Sequence, residues 1–379
     1  MEVATLAMTS DRPSAALASL AARICSPGPF RVPGLVIVVR RRDGTVERLV
    51  TGTDALGTPL ASDTLFPLGS NGKLPLGLLV LRLIDAGAVA LRDPIQKYVP
   101  GAAAGNVAVT IERLLTHTSG LPIDLPAAVV AYGPGVDRPR LMRACAKTPL
   151  QYAPGSIVQY SGVGFGLLAE AIEAISGEPL WQVVTREVLR PLNIEAYPAN
   201  DLPTPRAAVI ADIRSVHTGT PHEPVNGEAW RALALPWAGL FGTADAVLSL
   251  VQAYDAGAVV SDALLLQARS DRNIGLPGGF NTTDPRLGYI DSKPITWPHC
   301  AWGLCVEVRG PKAPHWTPAA ASRTSFGHLG STGCLAWTDP DRGSSWAVVG
   351  PQTTDNGWLL RYGPALGDSA LRDRAPAAN

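Results

Sequence analysis

Apolar strand patterns at the two ends of the chain constrain the fold more than any other feature. Residues 35–39 and 45–50 are runs of β-branched and apolar side chains separated by an Asp-Gly pair, which is typical of a hairpin turn. Residues 334–337 and 345–349 form a second such pair around a segment of Asp, Pro, Arg and Gly. These patterns predict one antiparallel sheet that is built from both termini.

Helical spacing dominates the middle of the chain. Apolar residues recur every three or four positions in five segments, at residues 74–86, 111–116, 164–175, 181–189 and 244–253. Residues 191–228 and 277–318 are rich in Pro, Gly, Asp and Thr, and long irregular loops of this kind often shape a binding cleft. We predict an α/β (α+β) fold with an antiparallel sheet and flanking helices from residues 1–75 and 290–379, and a mainly helical domain from residues 76–289.

The composition narrows the possible partners. The 32 basic and 32 acidic residues are interspersed and cancel to a net charge of zero, so nucleic acid is not an expected partner. No apolar run approaches the ~18 residues of a membrane span, and residues 1–25 lack the apolar core of a secretion signal. The cysteines are five in number and irregularly spaced, which fits reduced thiols, and we predict a cytoplasmic protein without a membrane partner.

One Ser-x-x-Lys motif carries the candidate chemistry. Of the five lysines, only Lys73 has a serine three positions earlier, and residues at this spacing share a helix face, so Lys73 can reach the Ser70 hydroxyl. A serine is a weak nucleophile without a base, and a free lysine with a pKa of ~10.4 is protonated at neutral pH. The apolar residues after Lys73 are expected to lower its pKa by desolvation. The motif is short, however, and most such matches lie on helix surfaces, so other segments must support it.

Further segments of this chain resemble segments of the serine β-lactamase, DD-peptidase and esterase superfamily. They occur in the order in which the superfamily has them and cover nearly the whole chain. The segment at residues 110–122, which contains His-Thr-Ser-Gly-Leu, is among the most recognisable of them. The other similar segments are residues 64–69, 91–100, 152–168, 238–245 and 326–333. The resemblance implies a β-lactamase/transpeptidase-like fold.

The resemblance also implies roles for individual residues. Ser70 is the expected nucleophile, Lys73 its base, and Tyr160 the residue that relays a proton to the leaving group. His328 is expected to orient or polarise Tyr160. The backbone N–H groups of Ser70 and Ser331 are expected to form the oxyanion hole.

Departures from the family pattern bear on the substrate. Gly162 stands where many members have Asn, and Leu329 stands where β-lactamases and DD-peptidases have Thr in the strand motif that Gly330 completes. The resemblance implies that Gly162, Leu329 and Gly330 border the substrate. Both changes remove polar contacts to it, which disfavours penicillins and D-Ala-D-Ala peptides. Trp302 and Trp316 precede this strand, and we predict that they line an acyl pocket.

Other signals do not point to a cofactor or metal. The Gly-rich start of the segment at residues 164–169 follows a polar loop, so close helix packing explains it better than dinucleotide binding. His217 and His222 lie in one loop without further ligands at zinc spacing. His117 follows a short helix, and capping or packing is its expected role. Pro75, close to the start of the nucleophile helix, is unusual for the family.

Three functions remain open from the sequence. The first is hydrolysis of a carboxylic ester or amide of a small molecule through an acyl-Ser70 intermediate. The second is transfer of the acyl group to an amine or alcohol acceptor, as in biosynthetic acyltransferases. The third is a binder or sensor that keeps the fold without turnover, against which the complete set of Ser70, Lys73 and Tyr160 argues.

Overall fold

A six-stranded antiparallel sheet forms the centre of the molecule. The structure is a computed structural model that describes residues 13–203, 206–280 and 295–372. Both termini contribute to the sheet, as predicted, and its strand order is β2-β1-β12-β11-β10-β9. These strands are Gly34–Arg40 (β1), Val46–Gly52 (β2), Glu307–Val308 (β9), Phe326–Gly330 (β10), Cys334–Asp339 (β11) and Ser344–Val349 (β12).

Helices cover both faces of this sheet. The ten α-helices of the described residues are Ala15–Cys25 (α1), Lys73–Asp85 (α2), Ile111–Leu115 (α3), Arg138–Lys147 (α4), Gly162–Ser176 (α5), Leu180–Val184 (α6), Glu228–Ala232 (α7), Ala244–Gln252 (α8), Asp262–Ala268 (α9) and Trp358–Leu371 (α10). All five helical segments predicted from the sequence are helical, although the second half of one of them is a π-helix at Thr185–Leu189. The α1, α4, α7, α9 and α10 helices were not predicted.

Successive side chains of a strand point to opposite faces of the sheet, and this alternation separates two hydrophobic cores. On β1, Val36 and Val38 point into an inner core shared with α2, α5 and α8. Leu35 and Ile37 point into an outer core shared with α1 and α10. Because the strand is covered on both faces, it is a nearly continuous apolar run instead of an alternating one.

The inner core joins the two predicted domains. Helix α8 lies within the segment predicted as the helical domain, yet it packs on β1, β11 and β12 of the sheet. The inner core also includes residues from α2, α5 and the sheet strands. The division at residues 75 and 290 therefore stays a prediction.

Two small sheets position the loops around Ser70. One joins Phe66–Pro67 (β3), Leu240–Gly242 (β6) and Ala196–Pro198 (β5) in the order β3-β6-β5. The other joins Val158–Gln159 (β4), Gly278–Phe280 (β7) and Ile295–Trp297 (β8) in the order β4-β7-β8. The two predicted loop segments therefore contain short strands, while residues 281–294 lie outside the described residues.

The described residues contain no helix that is both long and apolar enough to cross a membrane. All five cysteines are described, and all have free thiols. The cytoplasmic location stays a prediction.

Candidate active site

A tight turn between β3 and α2 presents Ser70. The 3₁₀-helix Gly69–Gly72 contains this serine, whose side chain is half-buried. The turn begins at Gly69, which has a φ of 54°, and a Cβ at this position would lie 2.8 Å from Thr332 Oγ1, so glycine is required there for both reasons. The buried Asn71 amide donates to the carbonyl oxygen of Cys334 at 3.2 Å and so joins the turn to β11.

The amine of Lys73 lies within reach of the Ser70 hydroxyl. Lys73 is the first residue of α2, directly after the turn, and is 1% exposed. Its Nζ lies 3.1 Å from Ser70 Oγ and donates to the carbonyl oxygen of Trp237 at 2.9 Å. The predicted pairing of serine and lysine is thus present in the structure.

Burial lowers the pKa of Lys73 to about 7, although the nearby Cys305 and Asp124 act in the opposite direction. Aromatic rings contribute to this environment, because Nζ lies 4.9 Å from the ring centroid of Tyr160 and 5.7 Å from that of Phe165. A neutral amine has two donors and one lone pair. With one N–H directed to Trp237, the lone pair is available to accept the Ser70 proton.

Tyr160 lies directly after β4, and its hydroxyl points toward Ser70. Burial raises the pKa of Tyr160, and a hydrogen bond with Ser70 acts against that increase. Its hydroxyl oxygen is also 3.5 Å from His328 Nε2. A phenol with a raised pKa is neutral at pH 7, which is compatible with the predicted roles of Tyr160 as proton carrier and Lys73 as base.

His328 approaches Tyr160 from the central sheet. It pairs with Ala336 of β11, an inner-core residue, and cross-strand partners point to the same face. Nδ1 lies 2.9 Å from the carbonyl oxygen of Leu329, which can only accept, so Nδ1 carries the proton and Nε2 is left as an acceptor. Burial, together with the nearby charge of Lys73, lowers the pKa of His328 to about 3. The imidazole is therefore neutral.

The end of β10 lies against the nucleophile turn. A Cβ at Gly330 would come within 2.4 Å of the Leu68 carbonyl oxygen. The hydroxyl of Thr332 donates to the carbonyl oxygen of Pro67 at 2.6 Å. Ser331 lies between these two contacts and is exposed, so its position is compatible with the predicted oxyanion hole, which stays a proposal.

Trp237 explains the glycine at position 162. Gly162 is the first residue of α5, and a Cβ on it would lie 3.1 Å from Trp237 Cδ1. A larger side chain at this position would displace the residue whose carbonyl oxygen binds Lys73. The indole therefore occupies space next to the position where many family members have the Asn side chain.

Three predicted substrate-binding residues have other surroundings than expected. Leu329 is half-buried and packs against the outer core, on the face opposite His328. Trp316 is 1% exposed in the outer core, where its ring contacts Trp297 and His315, so the structure does not bring it to the site. Trp302 does reach the site, with its ring centroid 5.7 Å from those of Tyr160 and His328, but it is only 2% exposed and lies behind them.

Sequence reasoning missed two contributors to the site. The carbonyl of Trp237 acts through the backbone, which has no side-chain signature, although Trp237 directly precedes the recognisable segment at residues 238–245. His117 has the capping role that the sequence predicted, because its N–H donates to the carbonyl oxygen of Leu114 at 3.4 Å. Its ring centroid also lies 4.3 Å from that of Tyr160, a contact that the sequence analysis did not include. Its place in the His-Thr-Ser-Gly-Leu segment was the available signal.

Comparison with known proteins agrees with this geometry. A family model described as beta-lactamase matches residues 22–357. This chain belongs to the beta-lactamase family. The predicted family and the β-lactamase/transpeptidase-like fold are thereby confirmed.

Relatives in the beta-lactamase family differ in activity. Esterase EstB of Burkholderia gladioli is 30% identical over 300 residues, which are 68% of this chain and 74% of that protein. The D-alanyl-D-alanine-carboxypeptidase/endopeptidase AmpH of Escherichia coli (strain K12) is 33% identical over 140 residues, which are 35% of this chain and 36% of AmpH. The solved structure of EstCE1, described as a hydrolase with promiscuous acyltransferase activity, has a TM-score of 0.74 at 21% identity and covers 94% of this chain and 98% of its own. The relatives are serine hydrolases, which supports an enzyme.

Proposed function

We propose that this member of the beta-lactamase family hydrolyses carboxylic esters or amides of small molecules through an acyl-Ser70 intermediate. The observation that carries the proposal is the buried amine of Lys73, 3.1 Å from Ser70 Oγ, with a pKa lowered to about 7 by burial. A base with a pKa near the working pH is largely deprotonated and still basic enough to take a proton.

The acylation step uses these groups in order. Ser70 Oγ forms a bond to the acyl carbon as its proton passes to Lys73 Nζ, and the carbonyl oxygen becomes an oxyanion that the N–H groups of Ser70 and Ser331 stabilise. The bond to the leaving group then breaks, and the proton passes from Lys73 through the Tyr160 hydroxyl to the departing oxygen or nitrogen. Before the transfer, the Tyr160 hydroxyl donates to His328 Nε2, which keeps the phenol oxygen in place. During the transfer, this hydrogen passes to the leaving group while the phenol oxygen takes the proton from Lys73. Attack of water on the acyl-enzyme, with proton transfer in the reverse direction, completes hydrolysis.

The residues around the nucleophile favour simple esters over β-lactams. Gly162 offers no amide to a substrate, and the Leu329 side chain packs against the outer core and offers no hydroxyl to a carboxylate. A site that lacks these polar contacts gains little from the carboxylate and amide of a cephalosporin. We expect short p-nitrophenyl esters to be hydrolysed clearly faster than a chromogenic cephalosporin.

Replacement of the nucleophile tests the proposal. The Ser70→Ala variant is expected to lose both ester turnover and labelling by a fluorophosphonate, while its melting temperature stays close to that of the wild type. Replacement of the exposed Ser156 by alanine is the matched control and should change neither readout. Intact-mass and peptide mass spectrometry would locate the label, and labelling that persists in Ser70→Ala would contradict the assignment.

The acyltransferase alternative differs only in the second step. Aromatic rings pack next to the proposed catalytic side chains, with the Trp302 ring 5.7 Å from that of Tyr160 and the Phe165 ring 5.7 Å from Lys73 Nζ. A site that holds an acceptor raises its effective concentration over water. Acylation with a simple ester followed by a series of amines and alcohols would measure the ratio of transfer product to free acid. A ratio far above that of the uncatalysed nucleophiles would favour transfer, and an equal ratio for every acceptor would favour hydrolysis.

The same experiments test the non-catalytic alternative. Labelling of Ser70 without turnover of any ester or amide in a broad panel would favour a binder or sensor. Turnover that depends on Ser70 would exclude it.

A further inference from the structure

We propose that His117 is a positioning residue that holds Tyr160 in place for proton transfer. This inference rests on the proposed acyl-Ser70 chemistry, and it assigns to His117 more than the packing role that the sequence indicated. The residue lies after α3 and is 0% exposed.

Hydrogen bonds between His117 and the backbone hold the chain on both sides of Tyr160. The carbonyl oxygen of His117 accepts a hydrogen bond from the N–H of Gln159 at 2.8 Å. Its Nδ1 accepts from the N–H of Ser161 at 3.1 Å. One residue thus binds the peptide groups directly before and directly after the tyrosine.

The imidazole also holds the phenol ring itself. The ring centroids of His117 and Tyr160 are 4.3 Å apart with an interplanar angle of 35°. Trp302 contacts the imidazole edge-to-face at 4.8 Å, and Phe165 packs at 5.5 Å. The direction of the Tyr160 hydroxyl, toward Ser70 and His328, therefore depends on where His117 places the ring.

The backbone of His117 adopts a conformation that is unfavourable for a residue with a side chain. Its φ is 58°, in the left-handed region that non-glycine residues rarely adopt. Such conformations persist where surrounding contacts impose them, and they cluster at functional sites. Here the left-handed residue closes α3, because the N–H of His117 donates to the carbonyl oxygen of Leu114 at 3.4 Å and the N–H of Thr118 donates to that of Arg113 at 2.9 Å.

His117 holds its position as a neutral ring and does not transfer the proton. Burial lowers the pKa of His117 well below its ordinary value, and the neighbouring Lys73 and His328 lower it further. Because Nδ1 accepts from a backbone N–H, the lone pair of the neutral ring is already used and the proton lies on Nε2. The imidazole therefore adds no positive charge beside Lys73.

Two substitutions separate the contributions of His117. Asparagine tolerates the left-handed backbone, and its Oδ1 can replace Nδ1 as an acceptor, whereas alanine supplies neither property. We expect His117→Ala to lower the rate of Ser70 acylation by ~10- to 100-fold with little change in KM, and His117→Asn to recover part of the loss. The rates of fluorophosphonate labelling and of ester turnover are both measured.

A double-mutant cycle with Tyr160→Phe distinguishes positioning from general packing. If His117 acts through the Tyr160 hydroxyl, His117→Ala should cost less than about twofold in the Tyr160→Phe background. Leu366→Ala, in the outer core on the other face of the sheet, is the stability control: it should lower the melting temperature and leave the rate unchanged in both backgrounds.

The outcomes separate this inference from the proposed function. An equal loss of rate from His117→Ala in the wild-type and Tyr160→Phe backgrounds would overturn the positioning role. A loss of melting temperature with an unchanged labelling rate would overturn it as well. Absence of label on Ser70 in the folded wild-type protein would instead contradict the proposed acyl-enzyme, because labelling needs no knowledge of the natural substrate.

Discussion

In the proposed mechanism, burial of Lys73 determines the pH range in which Ser70 is activated. The amine is the base only when it has lost its proton, and burial lowers its pKa to about 7 from an ordinary value of 10.5. The neighbouring phenol is neutral throughout the physiological range because burial raises the pKa of Tyr160. At the scale of single residues, the site is therefore controlled by desolvation.

The pH dependence of acylation follows from this shift. We expect the rate of Ser70 acylation to rise with pH, with a midpoint near the Lys73 pKa of about 7, and to level off above it. The acylation rate should rise with pH because deprotonation of Lys73 generates the active base. Single-turnover kinetics with a p-nitrophenyl ester between pH 5 and pH 9 would measure it, and a rate that keeps rising through pH 9 would show that Lys73 retains its ordinary pKa.

A second buried lysine has a structural role. Lys312 pairs with Glu307, and both side chains are at most 1% exposed. Replacing Lys312 by methionine leaves a buried carboxylate with only His315 as a partner, so we expect the free energy of unfolding to fall by ~3–5 kcal/mol. Lys97→Met, in the exposed pair of Lys97 and Asp93, is the matched control and should leave stability unchanged. Chemical denaturation would compare them, and equal stabilities would mean that the buried pair contributes nothing.

At the scale of elements, β10 packs against the turn at Gly69–Gly72, and this contact brings the proposed catalytic groups together. The turn presents Ser70, α2 presents Lys73, and β10 presents His328. Pro75 is compatible with this arrangement because it is the third residue of α2, where the missing N–H has no intrahelical partner to lose. The unusual proline therefore does not disturb the helix.

Gly330 tests this contact. An alanine Cβ would come within 2.4 Å of the Leu68 carbonyl oxygen, so β10 and the turn must move apart. We expect Gly330→Ala to reduce kcat/KM by ~10-fold or more and to lower stability by ~1–3 kcal/mol. Gly87→Ala is the control, because Gly87 has a φ of 72° and open space around its Cβ, so it loses stability through strain far from the contact. Normal kinetics in Gly330→Ala would show that the contact tolerates movement.

At the scale of the whole molecule, the sheet separates the catalytic side from a supporting side. Helices α2 and α5 pack in the inner core, next to the candidate site, and helices α1 and α10 pack in the outer core. Because each core is continuous across several elements, loss of packing on the outer side should reduce stability before it alters the site.

Leu17 in α1 tests this separation. It is 0% exposed in the outer core, and Leu17→Ala should lower the free energy of unfolding by ~2–5 kcal/mol through loss of burial and formation of a cavity. The kcat and KM of the folded protein are expected to stay unchanged. Leu266→Ala, at a leucine that is 58% exposed, should change neither. A change in kcat at a temperature where Leu17→Ala remains folded would show that the outer core controls the site.

Local sequence patterns alone predicted many of the strands and helices of this protein and the pairing of Ser70 with Lys73. Strands β1, β2, β11 and β12 and the helices α2, α3, α5, α6 and α8 follow from the pattern of apolar residues, because that pattern reports which side of an element is buried. Ser70 and Lys73 were found together for a similar reason, since residues three positions apart meet within one helical turn. The helices α1 and α10 were missed because short helices are stabilised mainly by packing of their apolar face, here against the sheet that they cover.

Only the tertiary structure decided which distant residues meet. His328, Tyr160 and Trp237 come from three separate elements, and their contacts with each other or with Lys73 depend on how the sheet and helices pack. The same packing placed Trp316 in the outer core and Leu329 on the face opposite His328, against the expectation that both contact substrate. The lowered pKa of Lys73 belongs to this level as well, because desolvation depends on everything packed around the amine and on no single motif.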